Sequence, residues 1–301
     1  MFKTIVRNLP LIRHFLEINS HINSINKIEK DVSELIDLNK RLLEISIDNY
    51  INKNLHENKR YTDSKKLNQY EYQVYSQNGE DGIIAEIFKR IGVTNKFCVE
   101  FGAQNGLANN TTCLMLKDWT SAWIEARTDF IEQIESKFDI HIRNNKLALK
   151  KAFVTAENIE SLFKELNVPE EFDLLSIDID GNDYWVWKAI KNYSPRVVVI
   201  EYNAMLLPHD ERIMKYNPDH VWKGTGYFGA SLQSMEILGH TKGYKLVGCN
   251  FIGVNAFFVR EDLVADQFLD PFTAENHYEP PRYYLQRHIC HPKDFGEFKT
   301  I

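Results

Sequence analysis

Acids and glycines fall at the ends of several apolar runs in this chain, and their spacing limits the chemistry they could do. In FCVEFGAQNG (97–106) Glu100 is followed by Gly102 and Gly106, and in SAWIEA (121–126) Glu125 closes the next run. A phosphate-cradling loop would need Gly-x-x-x-x-Gly-Lys-Ser/Thr, or three glycines as Gly-x-Gly-x-x-Gly, and neither the Lys nor the third Gly is present. Glu100 also argues against an anion, because a carboxylate beside loop amides suits hydroxyls or an ammonium group better than a phosphate. Glu125 is placed to accept from the two hydroxyls of a ribose. Gly102 is expected to let a ligand approach the backbone, and Gly106 to permit a tight entry into a helix capped by Asn110 or Thr111.

A second set of acids lies downstream. FDLLSIDID (172–180) carries Asp178 and Asp180, which alternation puts on one face of a strand, and RVVVIEYN (196–203) ends in Glu201 and Asn203, also on one face. If these strands are neighbours, Asp180, Glu201 and Asn203 converge into an oxygen site for Mg²⁺ or another hard divalent ion, with room for a substrate diol. Asp178, further down the strand, reads more readily as a hydrogen-bonded structural acid. Without a metal, Asp180 or a nearby histidine would serve as general base.

The segment AMLLPHDERIMKYNPDHVWKGTGYFG (204–229) is too long for an ordinary connection and has the composition of a lid or substrate loop. It offers His209 as first candidate for the base and His220 as second. Trp222, Tyr227 and Phe228 would stack on a sugar face or pin the loop. SQNGEDG (76–82) precedes a helical pattern that Ser76, Asn78 or Asp81 would cap. His288, Cys290 and His291 in RHICHPKD fit no zinc spacing and read as a structural tail.

The elements that must position these groups follow from pattern. The chain has 301 residues, 44% hydrophobic and 26% charged, with a formal charge of −6, which suits a globular protein and gives no electrostatic reason to bind nucleic acid. No apolar stretch reaches the roughly 18–20 residues of a membrane span, and Asn8, Pro10, Arg13 and His14 interrupt any signal-like run, so the cytoplasm is the expected location. Cys98, Cys113, Cys249 and Cys290 are scattered and read as reduced thiols. Apolar residues from Ile18 to Ile45 recur every three or four positions, predicting an amphipathic helix over 1–50 that lies on a body or self-associates as a short coiled coil. Residues 51–70 read as a polar linker. From 71 to 265, five apolar strands alternate with helices and close with a hairpin, predicting a doubly wound, mostly parallel α/β domain; 266–301 is expected to pack on it as a tail.

Glu-x-Gly-x-x-x-Gly with Glu125 at the next strand end, in this alternation, resembles the nucleoside-binding half of class I S-adenosylmethionine-dependent methyltransferases. That resemblance implies a seven-stranded Rossmann-like sheet with S-adenosylmethionine held by Glu100, Gly102, Gly106 and Glu125. YSQNGEDGII, SIDIDGND and YFGASL…GYKLVG…NAFFVR resemble the FkbM-like branch found with bacterial surface-polysaccharide or natural-product sugar O-methylation. The branch adds Gln77, Glu80 and Asp81 as contacts to cofactor or substrate, and a sugar, sugar nucleotide or glycan as acceptor. With the strand-end reading, Asp178 joins the cofactor contacts, Asp180 and His209 are the catalytic groups, and Asp180, Glu201 and Asn203 are the metal ligands. Two rival readings are a nucleotide-sugar glycosyltransferase holding its metal through Asp-x-Asp, and a non-catalytic assembly subunit.

Overall fold

The computed structural model describes residues 10–286 and 293–295, so His288, Cys290 and His291 lie outside the described residues. The chain divides between Asn52 and Lys53 into two units. The first holds α1, Pro10–Ile51, a single helix of 42 residues. It contains no glycine, and its one proline stands at the first position, where the missing N–H costs nothing. Among the described residues no helix is long and apolar enough to cross a membrane.

The second unit is built on a seven-stranded sheet in the order β3-β2-β1-β4-β5-β7-β6. The strands are β1 Phe97–Phe101, β2 Thr120–Glu125, β3 Leu147–Lys151, β4 Glu171–Ile177, β5 Ser194–Glu201, β6 Tyr244–Cys249 and β7 Asn255–Arg260. The first five pair in parallel, and only β7 runs against its neighbours β5 and β6. This is the doubly wound, Rossmann-like methyltransferase order. Helices α2 (Glu80–Ile91), α3 (Thr112–Met115), α4 (Thr128–Lys137), α5 (Asp139–Arg143), α6 (Ile159–Glu165), α7 (Asp183–Ala189) and α8 (Leu232–Thr241) flank it. Val99, Phe101 and Leu175 pack on one face with Phe163, Trp187 and Leu238, while Cys98, Leu174 and Val199 pack on the other with Ile83 and Ile87. Burial on both faces is why the strands read as continuous apolar runs.

The stretch read as a linker is folded. Leu55, Tyr61 and Leu67 are buried, the Tyr61 hydroxyl donates to Glu279, and Asn68 Nδ2 donates to the Cys249 carbonyl. Its few apolar residues are each used in packing, so a low apolar count misjudges it. The segment after 265 also packs on the unit, where Tyr278 donates to the Ala204 carbonyl and Lys293 to the carbonyls of Tyr75 and Ser76. Cys98, Cys113 and Cys249 are buried free thiols.

At the carboxyl edge β4 stops at Ile177, so Asp178 and Asp180 belong to the turn after it and not to the pleat. Gly102 follows β1 with φ +78, and a Cβ there would stand 1.7 Å from the Asp178 carbonyl oxygen. Gly106, also at φ +78, would drive a Cβ to within 2.6 Å of the Phe138 ring and 2.8 Å of the Trp123 ring. Both glycines are thus required by protein packing, where the sequence suggested ligand approach and helix entry. Gly224 supplies a contrast, with φ +72 and nothing within 4 Å. Gly102→Ala should lose at least ~3 kcal/mol of unfolding free energy in denaturant titration, against about 1 kcal/mol for Gly224→Ala. Equal losses would place the whole effect in backbone conformation.

Candidate functional site

Two cavities open at the carboxyl ends of the strands. The first, about 390 Å³, is lined by Gly102, Glu125, Phe130, Val154, Ile179 and Trp222 among others. The second, about 370 Å³, takes in Gln77, Asn78, Glu201, Phe228, Ile252 and Tyr283. Gln104, Asp178, Asp180 and Trp222 line both and form the wall between them. The wall is set by register, since β4 lies between β1 and β5 with Phe101 opposite Ile177 and Ile177 opposite Ile200. Residues just past these pairs must meet.

The acids of this edge divide by what they hold. Glu100 is buried, with one oxygen accepting from Asn110 N–H at 2.8 Å and Ser176 O–H at 3.2 Å. Its other oxygen accepts from Thr111 N–H at 3.0 Å and from the Thr111 hydroxyl. The carboxylate therefore fastens the 106–111 loop, and the ammonium role expected for it has no free oxygen in this arrangement. Burial still pushes it up to about 7 against the pull of those donors. Asp81 likewise accepts from the N–H groups of Val74, Tyr75 and Ser76 and from the Ser76 hydroxyl, closing the turn before α2. Gln77 lines the second cavity rather than the first. Glu125 accepts from Gln104 N–H and Arg127 N–H, both at 2.8 Å, and its carboxylate still faces the first cavity.

The three carboxylates of Asp178, Asp180 and Glu201 each bring an oxygen within 4.8 Å of the others. Glu201 Oε2 is buried with no hydrogen-bond partner. Burial first, and then the neighbouring acids, holds Asp178 and Glu201 well above the usual carboxylate range. Asp180 is the exposed member of the three, and partial desolvation of its carboxyl raises it while His220 eases it back. Asn203, expected as the third ligand, has its amide engaged elsewhere: Nδ2 donates to the Gly226 and Phe228 carbonyls and Oδ1 accepts from Met205 N–H. Asp178 occupies the place assigned to it. Asp183 holds this turn by accepting from Ile179 N–H and Gly181 N–H, and burial raises it to about 6.

His209 is exposed and lines neither cavity, whereas His220 lines the first cavity, where its ring packs on Gly181 and its buried Nε2 has no partner. The 204–229 loop delivers His220 because it is tied down, by Trp185 donating to the Met214 carbonyl and Asn182 to the Asn217 carbonyl. Trp222 lies in both walls and Phe228 in the second, while Tyr227 is exposed. Gln104, Asp183, Tyr283 and Gln286 were not singled out in the sequence. Of these Gln104, between Gly102 and Gly106 in FCVEFGAQNG, and Asp183, in SIDIDGND, sat within motifs that could have flagged them.

A scan of protein-family models and a search of curated proteins find no match to this chain. Among solved structures it is similar to a candidate caffeoyl-CoA O-methyltransferase from Staphylococcus aureus, at 15% identity and TM-score 0.45, covering 74% of this chain and 100% of that one. It is also similar to an S-adenosylmethionine-dependent methyltransferase from Clostridium acetobutylicum ATCC 824, at 13% identity and TM-score 0.38, over 71% and 97% of the two chains. The N-terminal domain of EvdMO1 with SAH bound shows 10% identity and TM-score 0.37, over 60% and 79%. The strand order places the chain in its fold class independently of these likenesses.

Carboxyls raised on folding take up protons as the chain folds. The stability from Glu100 and Asp183 is therefore complete below their unfolded values of 4.5 and 3.8, and is lost as pH rises through about 7 and about 6. Ligand-free protein should melt higher at pH 5.5 than at pH 8 in scanning calorimetry, and Glu100→Gln should shrink the difference. A melting temperature that climbs with pH would contradict these shifts.

Proposed function

We propose that the chain is an S-adenosylmethionine-dependent O-methyltransferase acting on a sugar or glycan hydroxyl with help from a divalent ion. One observation carries the reading. A cavity with Glu125 at a strand end shares a wall with a second cavity that holds converged carboxylates, so two ligands would meet across Gln104, Asp178, Asp180 and Trp222.

The residues present fit both groups. The first cavity joins an acceptor pair on Glu125 to apolar walls from Ile124, Phe130 and Val154, which suits the ribose and base of an adenosyl compound. The acidic cluster offers only hard oxygen donors, one of them unsatisfied, which suits Mg²⁺. When bound, S-adenosylmethionine supplies an electrophilic methyl group and a divalent ion lowers the pKa of a coordinated hydroxyl. Asp178, Asp180 and Glu201 would hold the ion, and Asp180 would orient the acceptor oxygen toward the first cavity. His220, with Nε2 unpartnered above Gly181, replaces His209 as the group to take the hydroxyl proton.

The lining of the second cavity supports a neutral acceptor. No Lys or Arg is among its described residues, and even with a divalent ion three carboxylates leave no positive charge to meet a diphosphate. This weighs against the nucleotide-sugar glycosyltransferase. Trp222, Phe228 and Tyr283 give flat faces on which sugar rings stack. The FkbM-like motifs point to a surface polysaccharide or natural-product sugar, and the free buried thiols suit a reducing compartment such as the cytoplasm.

Glu125→Ala should weaken S-adenosylhomocysteine binding at least tenfold by calorimetry. Asp180→Ala should abolish methyl transfer to a panel of neutral glycosides while cofactor affinity stays within several-fold. Mg²⁺ should raise the melting temperature of the unaltered protein and leave Glu201→Gln unmoved. Binding of a nucleotide sugar in place of S-adenosylhomocysteine would end the methyltransferase reading.

A further inference from the structure

Helix α1 exposes an apolar face that the rest of the function leaves unused. Phe15, Ile18, Ile22, Ile25, Val32, Ile36 and Leu43 recur at a and d of a heptad, each 44–65% exposed. The seam has polar breaks at Glu29 in an a position and at Asn39 and Ser46 in d positions. Beside it, the g positions hold Ile28, Leu35 and Leu42, with Leu38 and Ile45 continuing the same side. The other flank is polar from Asn19 to Lys40, its e positions there being Asn19, Asn26, Ser33 and Lys40, and the next e residue, Ile47, is already buried.

This asymmetry selects both the occupant and its direction. In a parallel pair g faces e, which would set Leu35 against Lys40 and Ile28 against Ser33, and would stack Glu29 on Glu29. In an antiparallel pair g faces g and e faces e, so Ile28 meets Leu42, Leu35 meets its own mate, and Asn26 meets Lys40. The core layers then run a against d. One register puts Glu29 opposite Asn39 twice, Ile36 opposite Val32, Leu43 opposite Ile25 and Ile22 opposite Ser46. Glu29 and Asn39 fall on each other, and Ser46, which meets Ile22, has its hydroxyl already satisfied by the Leu42 carbonyl. An anionic lipid surface would want a cationic polar face, and here Lys27, Lys30, Lys40 and Arg41 alternate with Glu34, Asp37, Glu44 and Asp48.

From this pattern we infer that α1 is a homodimerisation element pairing antiparallel with a second copy of itself, with Glu29 registered on Asn39 of the other copy. Eight large apolar side chains per copy, from Ile22 to Leu43, enter the interface. Their area is on the order of the 1,200–2,000 Å² that a specific interface covers. The pairing stands apart from the reaction proposed above and does not depend on it.

Full-length protein at micromolar concentration should sediment as a dimer in analytical ultracentrifugation. Leu35→Glu, which would set two carboxylates side by side at the two-fold axis, should sediment as a monomer whose body melts as before. Direction is read by oxidative cross-linking in a Cys290→Ser background, whose remaining Cys98, Cys113 and Cys249 are buried. The I25C/L43C chain should form a covalent dimer. I22C should not, because the two copies of residue 22 lie about 36 Å apart along the antiparallel pair at 1.5 Å per residue. A monomer, an assembly larger than a dimer, a covalent dimer from I22C, or none from I25C/L43C overturns the inference. So does a monomer that co-sediments with phosphatidylcholine–phosphatidylglycerol vesicles.

Discussion

Everything at the carboxyl edge of the sheet depends on how closely the end of β1 passes the end of β4. With no side chain at Gly102, the backbone leaving β1 sits against the Asp178 carbonyl, and no other residue leaves room for that approach. The contact fixes Asp178 between the two cavities and brings the turn carrying Asp180 over the same ground. Glu100 below it and Asp183 beside it then hold the two chain segments by their amides, one fastening 110–111 and the other 179–181. The site is therefore assembled by backbone contacts before any ligand group is considered.

Hydrogen bonding separates acids that build this edge from acids that await a partner. Carboxylates in a partly apolar mouth are costly unless neutralised, and each structural acid meets that cost with N–H or O–H donors. Glu100 and Asp183 do so on both oxygens and act as struts; Asp81 does so through Oδ2 alone, its buried Oδ1 having no partner. Glu125 is intermediate, holding the amides of Gln104 and Arg127 while still facing open space. Asp178 and Glu201 sit with like charges beside them, and Glu201 keeps one oxygen unsatisfied. Such an arrangement is stable only if protons are retained or a cation is bound, which is a physical reason to look for a ligand there.

How much of this was legible in the sequence follows from the range of the forces involved. The alternation of strands and helices and the closing hairpin were readable because continuous apolar strands, helical spacing between them and the short NFIG connection are local signals, whereas the order of the strands in the sheet was not read from the sequence. The acids were readable as a set because they stand at strand ends, but their division of labour was not. Whether Glu100 meets a ligand or the Thr111 amide depends on a loop ten residues away folding back, which no spacing encodes. The alternation argument brought Asp178 and Asp180 together for a reason that β4 does not supply, since the strand ends before them. Asn203 and His209 were placed by proximity in sequence to the right strand end, and a tightly bonded loop turned both away. The 51–70 stretch was misjudged because composition averages over residues, while Tyr61 and Leu67 pack singly.

Backbone strain is present on the same ground, as it is at other turns of the chain. Gln104 at φ 48 and Asp180 at φ 55 are non-glycine residues in the left-handed region, and both line the wall shared by the two cavities. Each such residue costs on the order of 1 kcal/mol or more, and a sequence free to relax would put glycine or asparagine there. At 104 the strained conformation aims the N–H at Glu125; at 180 it turns the carboxylate toward Glu201. Lys96, Asp118, Asn145, Asn167 and Ala265 also have positive φ and line neither cavity, so what sets 104 and 180 apart is not strain alone but its use, which brings the side chains of one wall to both cavities.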